Sequence, residues 1–267
     1  MSSPSFSAAA TAFRVLAKCR RSTRRFQRNR SIPNEILNDI LDSTLTAPSG
    51  FNLQPTHAIL VRDPETKERL ANQCMLGGGN IYRTRDASVV AVFLSDLEVT
   101  KRIDRIVRLE KEGKSRDPYY LVSLPVVSSF LTGEGEIATK FRNVMTDALS
   151  PLQPMPSVEG VEAWGYKNTA LMVQTYVLAA TSHGLGTCIM EGFDKRRAKD
   201  ILSIPDRFSL PMMVATGYDW DDKINNEENP TPTPRLNKEE IFFGETFGQI
   251  LDLENIHNDP LSKNDDG

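Results

Sequence analysis

Cysteine and histidine are scarce in this 267-residue chain, three of each, and their spacing excludes more than their number does. Cys19, Cys74 and Cys188 form no Cys-x-x-Cys pair, and His57, His183 and His257 fall at no metal-ligand interval. An odd, scattered set of thiols argues against a disulfide framework or a structural zinc, and for reduced cysteines in a reducing compartment. No feature beside any of the three would activate a catalytic thiolate. Also missing is an apolar run of the roughly 20 residues that a bilayer-spanning helix requires. The uncharged stretch 119–133 is short and interrupted by Pro125. There is no internal repeat, and no paired acid and base to nominate for proton transfer.

Acids are absent altogether from positions 1–34, which carry Arg14, Lys18, Arg20, Arg21, Arg24, Arg25, Arg28 and Arg30. Those eight charges in a chain of net charge −3 leave −11 for the remainder. Such a basic arm suits a phosphate ligand, nucleic acid or an import receptor. Few aromatics are interleaved with it, which argues against the base-stacking surface of single-strand binders. The Ser- and Ala-rich start has the look of a mitochondrial transit peptide, but the arginines run on into a compact segment that suits a mature protein. The expectation is a cytoplasmic protein, with mitochondrial as the alternative, and no membrane or nucleic-acid partner. Residues 1–12 are read as a flexible or targeting extension and 253–267 as a loose tail.

What is present is a regular alternation of helical and strand patterns. Apolar residues at helical spacing predict a helix over 8–18, another opened by Pro33 at its first position, and further helices over 64–73 and 195–202. His57 to Arg62 and the unbroken run from Ser88 to Ser95 read as strands, the second buried on both faces. A nearly all-round apolar helix from Trp164 to Ala180 predicts a deeply buried element. Gly184-Leu185-Gly186 stops it and Thr187–Met190 forms an inner strand. Pro211 to Tyr218 is the last clear core strand, 221–234 a polar extended connection, and Ile241-Phe242-Phe243 a short strand-like piece. Segment 97–162 departs from this pattern and reads as an excursion over the sheet, a lid or pocket wall.

Three separated segments carry the chemistry. Arg20, Ser22 and Arg24 alternate, so an extended chain points two guanidiniums and a hydroxyl to one side; the planar arginine fork matches phosphate oxygens. Pro48-Ser49-Gly50-Phe51-Asn52-Leu53-Gln54-Pro55 is a loop fixed by prolines and rich in hydrogen-bonding groups. Glu191-Gly192-Phe193 leaves a strand where glycine lets a ligand approach backbone N–H groups. In this order, with Gly184-Leu185-Gly186 before the last, the segments resemble the FMN-dependent nitroreductase family.

The resemblance implies a single α+β domain over 1–267, with a central mixed sheet flanked by helices. It implies an intertwined homodimer in which Ile241–Phe243 is exchanged as a strand onto the partner's sheet. FMN is the implied cofactor, with Arg20, Arg21, Ser22 and Arg24 at its phosphate, joined by Arg235. Pro48, Ser49 and Asn52 would reach it from the other subunit, and Glu191 and Gly192 would line the ring near N5. NADH or NADPH would be the reductant and a nitroaromatic or quinone the oxidant, in a ping-pong cycle. No side chain is nominated as catalytic, because the flavin carries the chemistry; no metal is implied. A flavin-dependent reductive dehalogenase is the alternative, with Glu110, Lys114 and Tyr119 available to grip a zwitterion. A non-catalytic phosphate or nucleic-acid binder is the third reading. Two positions depart from the family pattern, Thr233 where a basic residue is usual and Thr56 where an aromatic is.

Overall fold

The central strand shows how the molecule is layered. In a computed structural model describing residues 6–114, 116–220 and 233–251, β2 (Val89–Asp96) is buried along its whole length. Its side chains alternate between two cores, as a strand's period of two requires. Val89, Ala91 and Phe93 face one cluster, and Val90, Val92 and Leu94 face the other. The sheet order is β1-β2-β4-β3, with β1 at Thr56–Val61, β3 at Gly186–Met190 and β4 at Phe208–Gly217.

On one face lie α2 (Asn34–Thr44) and α8 (Val161–Ser182); on the other lie α3 (Pro64–Gln73), α4 (Gly78–Asp86) and α9 (Lys195–Leu202). The chain opens with α1 (Phe6–Cys19). Between β2 and α8 run a 3₁₀ turn, Val99–Arg102, and three helices, α5 (Ile103–Gly113), α6 (Pro118–Leu131) and α7 (Glu136–Leu149). None of the helices among the described residues is long and apolar enough to cross a membrane.

Local chemistry explains the sharpest boundaries. Asp63 caps α3 by accepting from the Thr66 N–H, with Pro64 at the first helical position, and Asp194 caps α9 by accepting from the Arg197 N–H. Helix α8 is about 33 Å long at 1.5 Å per residue. It buries Trp164, Gly165, Asn168, Thr169, Val173, Tyr176, Val177, Ala180 and Thr181, a stripe of helical period, and leaves Leu171 exposed. Tyr176 is fully buried and donates its hydroxyl to Thr216 Oγ1 at 3.0 Å, which ties α8 to β4.

Three expectations are corrected. Among the described residues the sheet is not mixed: all three ladders are antiparallel, and a parallel pairing occurs only at the isolated Ser22–Thr187 bridge. The 241–243 piece is not a strand. Lys238–Ile241 forms a helical turn closed by a capping box between Asn237 and Glu240, and Phe243 makes only an isolated bridge to Ile250. Pro33 caps α2 from outside rather than occupying its first turn. The chain divides into two units, 1–230 and 231–267. Residues 1–5 of the extension expected at 1–12, residues 221–232 of the connection expected at 221–234, and the whole tail expected at 253–267 lie outside the described residues, while 6–12 belong to α1.

Candidate functional site

After α1 the chain runs extended beside β3. The Thr23 N–H donates to the Thr187 carbonyl at 2.8 Å, the Gln27 N–H to Tyr218 at 2.9 Å, and the Trp220 N–H to Arg25 at 3.0 Å. Because an extended chain alternates its side chains, neighbouring residues part ways. Thr23 and Phe26 are buried, and Arg21 forms an ion pair with Asp219 at 3.2 Å. Among the described residues, the side chains of Arg20, Ser22 and Arg24 have no partner, so two cations and a hydroxyl are left for a ligand while Arg21 braces the segment. The close contact with β3 depends on Gly186, where a Cβ would overlap the Thr23 side chain. Gly186→Ala is therefore expected to destabilise by roughly 1–3 kcal/mol, the usual cost of overpacking, read from the thermal midpoint. No change would mean that Thr23 is free to move aside.

The far end of β3 meets α4. The Gly192 carbonyl accepts from the Leu76 N–H at 2.9 Å and from Asn80 Nδ2 at 3.3 Å, while among the described residues the Gly192 N–H has no acceptor. Asn80 in turn accepts from Arg83 Nη1 at 3.1 Å, and Arg83 Nε is buried without a partner. Buried donors are rarely left unpaired, so this one calls for an explanation such as an acceptor supplied by a ligand. A Cβ on Gly192 would come to 2.9 Å from Asn80 Nδ2, so a larger residue would push the Asn80 amide aside. From Thr187 to Glu191 the strand advances four residues, about 13 Å. Asn80 and Arg83 went unnoticed in the sequence, where the one cue is their i, i+3 spacing behind Gly77-Gly78-Gly79.

The loop entering β1 is strained. Phe51, Asn52 and Gln54 have φ of 55°, 54° and 48° without being glycine, a left-handed conformation that costs roughly 1–2 kcal/mol per residue. Surrounding groups hold it: the Gly50 N–H donates to Asn168 Oδ1 at 2.6 Å, and the Gln54 N–H to Ser49 Oγ at 3.0 Å. Asn52 Nδ2 donates to Glu110 Oε1 at 2.8 Å, and Arg102 donates to the Gln54 carbonyl. Glu110 is buried in α5 and also pairs with Arg116 at 3.3 Å; Arg102 is held by the buried Asp96 at 3.5 Å. Such over-determined strain concentrates at functional positions. Pro48, Ser49, Asn52 and Asn168 line a cleft of about 200 Å³.

Arg102 also donates to the His57 ring, which requires a neutral imidazole acceptor. Burial, then the Arg102 charge, push the His57 pKa below its ordinary value. Below about pH 6.5, the ordinary value, the unfolded chain binds a proton that folded His57 resists, so stability falls with pH until the folded ring also protonates. His57→Gln is expected to flatten that part of a pH series of unfolding midpoints. An unchanged acid slope would show that His57 does not contribute.

Within one chain, Arg20, Ser22, Arg24, Glu191 and Gly192 gather along β3. Pro48, Ser49 and Asn52 gather at β1, the opposite edge of the sheet, three strand spacings or about 14 Å away. Arg235 belongs to the second unit, where its guanidinium donates to the Thr233 and Pro234 carbonyls. No group of His, Cys, Asp or Glu among the described residues is arranged to hold a metal. Burial pushes the Cys74 thiol up to about 11 and raises that of Cys188, which makes both poor nucleophiles. Of the residues considered for gripping a zwitterion, Glu110 is buried and engaged by Asn52 and Arg116, which counts against that reading.

Comparison with known proteins points one way. The nitroreductase family profile matches residues 17–94 and 156–218 and passes over 95–155, the stretch that holds α5 to α7. The NADH dehydrogenase of Thermus thermophilus is 30% identical over 200 residues, covering 74% of this chain and 82% of the relative. A Bacillus subtilis protein assigned as the NAD(P)H nitroreductase MhqN is 28% identical, covering 77% and 87%. A protein of Exiguobacterium sibiricum assigned as a nitroreductase, crystallised in complex with FMN, superposes with a TM-score of 0.65. It is 20% identical and covers 87% of this chain and 97% of its own, a likeness of fold.

Proposed function

The chain belongs to the nitroreductase family, and from that premise we propose that it binds FMN and passes reducing equivalents from NADH or NADPH to quinones, nitroaromatics or similar small acceptors. The observation that carries this reading is the single strand β3, with Arg20, Ser22 and Arg24 beside one end and the Gly192 N–H and Arg83 Nε at the other, all without a partner among the described residues. These groups fit a molecule that is anionic at one end and rich in acceptors at the other.

FMN, when bound, would supply the hydride-accepting and electron-returning chemistry. The chain's own residues bind and orient. Arg20 and Arg24 hold the phosphate through charge-assisted hydrogen bonds with Ser22, and Arg21, through Asp219, keeps their segment against β3. Gly192 offers its N–H to a ring nitrogen, and Asn80 and Arg83 offer donors to the ring's polar edge. Fixed donors of this kind favour negative charge developing on the ring.

The same reading makes the protein a homodimer, because one chain holds the two halves of the site at opposite edges of its sheet. Pro48, Ser49 and Asn52 of one protomer complete the site of the other. An apolar groove of about 330 Å³, lined by Leu41, Leu45, Ala58, Leu60 and Met172 among others, gives the second copy a surface to cover. Exchange of Ile241–Phe243 as a strand would require the Lys238–Ile241 turn to open. Purified protein is expected to be yellow, or to become so with FMN, and to bleach on addition of NADH or NADPH. A protein that stays colourless in FMN would end this reading.

A further inference from the structure

Arg25, Phe26, Arg28, Tyr82, Arg85, Asp86 and Trp220 surround a cleft of about 360 Å³ that the flavin reading does not use. We infer that this cleft binds a purine nucleotide, taking its phosphate on the arginines and its base on the two rings.

The charges come first. Among the lining residues three guanidiniums face one carboxylate. Asp86 accepts from Arg85 at 2.9 Å and attracts Arg28 at 3.7 Å, so these forks are pre-positioned while Arg28 remains 60% exposed. Arg25 has no side-chain partner among the described residues. Fixed arginine forks match phosphate oxygens. The rings come second. Tyr82 and Trp220 are 55% and 60% exposed on the same cleft, although large aromatics are normally mostly buried. Arg85 already stacks over Tyr82 at 5.0 Å, and buried Phe26 contributes an apolar patch. Exposed rings beside arginines in excess over the one lining carboxylate suit a flat heteroaromatic that also carries an anion. The volume is that of a small-molecule site rather than a polymer groove.

The cleft shares two elements with the proposed flavin site but not its residues. On α4, Asn80 engages Gly192 and Arg83 engages Asn80, whereas Tyr82, Arg85 and Asp86 line the cleft. On the edge segment, Arg20, Ser22 and Arg24 are separate from Arg25 and Arg28. The inference therefore stands or falls independently of FMN.

Calorimetric titration of the purified protein, loaded with any flavin it holds, tests it with 5′-AMP, 2′,5′-ADP, adenosine and inorganic phosphate, with tryptophan emission followed in parallel. Both nucleotides are expected to bind at least about tenfold more tightly than adenosine or phosphate and to quench Trp220. The paired Arg25→Ala, Arg28→Ala variant should lose about tenfold or more. Trp220→Ala and, from a separate element, Tyr82→Ser should each weaken binding as well, and circular dichroism confirms that they fold. Competition between 2′,5′-ADP and NADPH in turnover would assign the cleft to the adenosine half of the reductant; binding without competition would assign it to a separate nucleotide. Equal affinity for all four probes, or undiminished affinity in the folded variants, would overturn the inference. So would binding confined to a single-stranded oligonucleotide with steep salt dependence.

Discussion

Replacing Arg20 and Arg24 together by alanine is expected to give a folded protein that has lost nearly all its FMN. Neither side chain has a partner among the described residues, so their removal should move the apoprotein's stability by no more than about 0.5 kcal/mol. Each forms a charge-assisted bond to phosphate in the proposed complex, and such bonds are worth roughly 1.5–3 kcal/mol. Two lost bonds correspond to a weakening of about 10²- to 10⁴-fold. Arg21→Ala supplies the contrast. It breaks the ion pair with Asp219, whose side chain is only 12% exposed, so it should lower the unfolding midpoint of the apoprotein and affect flavin chiefly through that. Fluorimetric titration with FMN and thermal unfolding of the apoproteins separate the two effects. Equal flavin affinity in the double variant and the parent would show that the phosphate lies elsewhere.

Glu110→Ala is expected to have the second large effect, although Glu110 belongs to α5 and to the stretch the family profile passes over. Its carboxylate accepts from Asn52 and pairs with Arg116. Removing it leaves the Asn52 amide with one acceptor fewer and relaxes a loop that carries three left-handed residues. A hydrogen bond to a charged group contributes about 1.5–3 kcal/mol, and the apoprotein's unfolding midpoint should fall accordingly. FMN affinity should fall about tenfold or more, because Asn52 and Ser49 no longer hold their positions for the partner's site. Glu110→Gln keeps an acceptor for Asn52 and should restore most of the affinity while losing the charge for Arg116. A lowered midpoint with unchanged flavin affinity would reduce Glu110 to a purely structural role.

How much of this was legible in sequence depended on whether the cause was local. The helices 64–73 and 195–202 were read to the residue because Asp63 and Asp194 cap them by bonds three residues long. The alternation of Arg20, Ser22 and Arg24 was legible because an extended chain has a fixed period. The strand expected at Ile241–Phe243 failed because apolar content was weighed above the Asn237-x-x-Glu240 capping signature, which was there to be read. Glu110 and Asn80 were invisible for a different reason. Their partners lie 58 and 112 positions away in sequence, and no periodicity announces that a carboxylate on a charged helix will be buried against a distant amide. The left-handed residues at 51, 52 and 54 were hidden too, since Phe and Gln give no hint of positive φ.

The claim on which the account depends is that two copies of this chain build each flavin site between them, and a mixing experiment tests it directly. One variant carries Arg20→Ala and Arg24→Ala; the other carries Ser49→Ala and Asn52→Ala, which disable the opposite half. Each alone should retain little FMN. Dissociated and reassociated in equal amounts, they should regain flavin in about a quarter of all sites, because half the dimers are mixed and each mixed dimer contains one intact site. No recovery of flavin in demonstrably mixed dimers, or stoichiometric flavin in a monomer, would contradict the account.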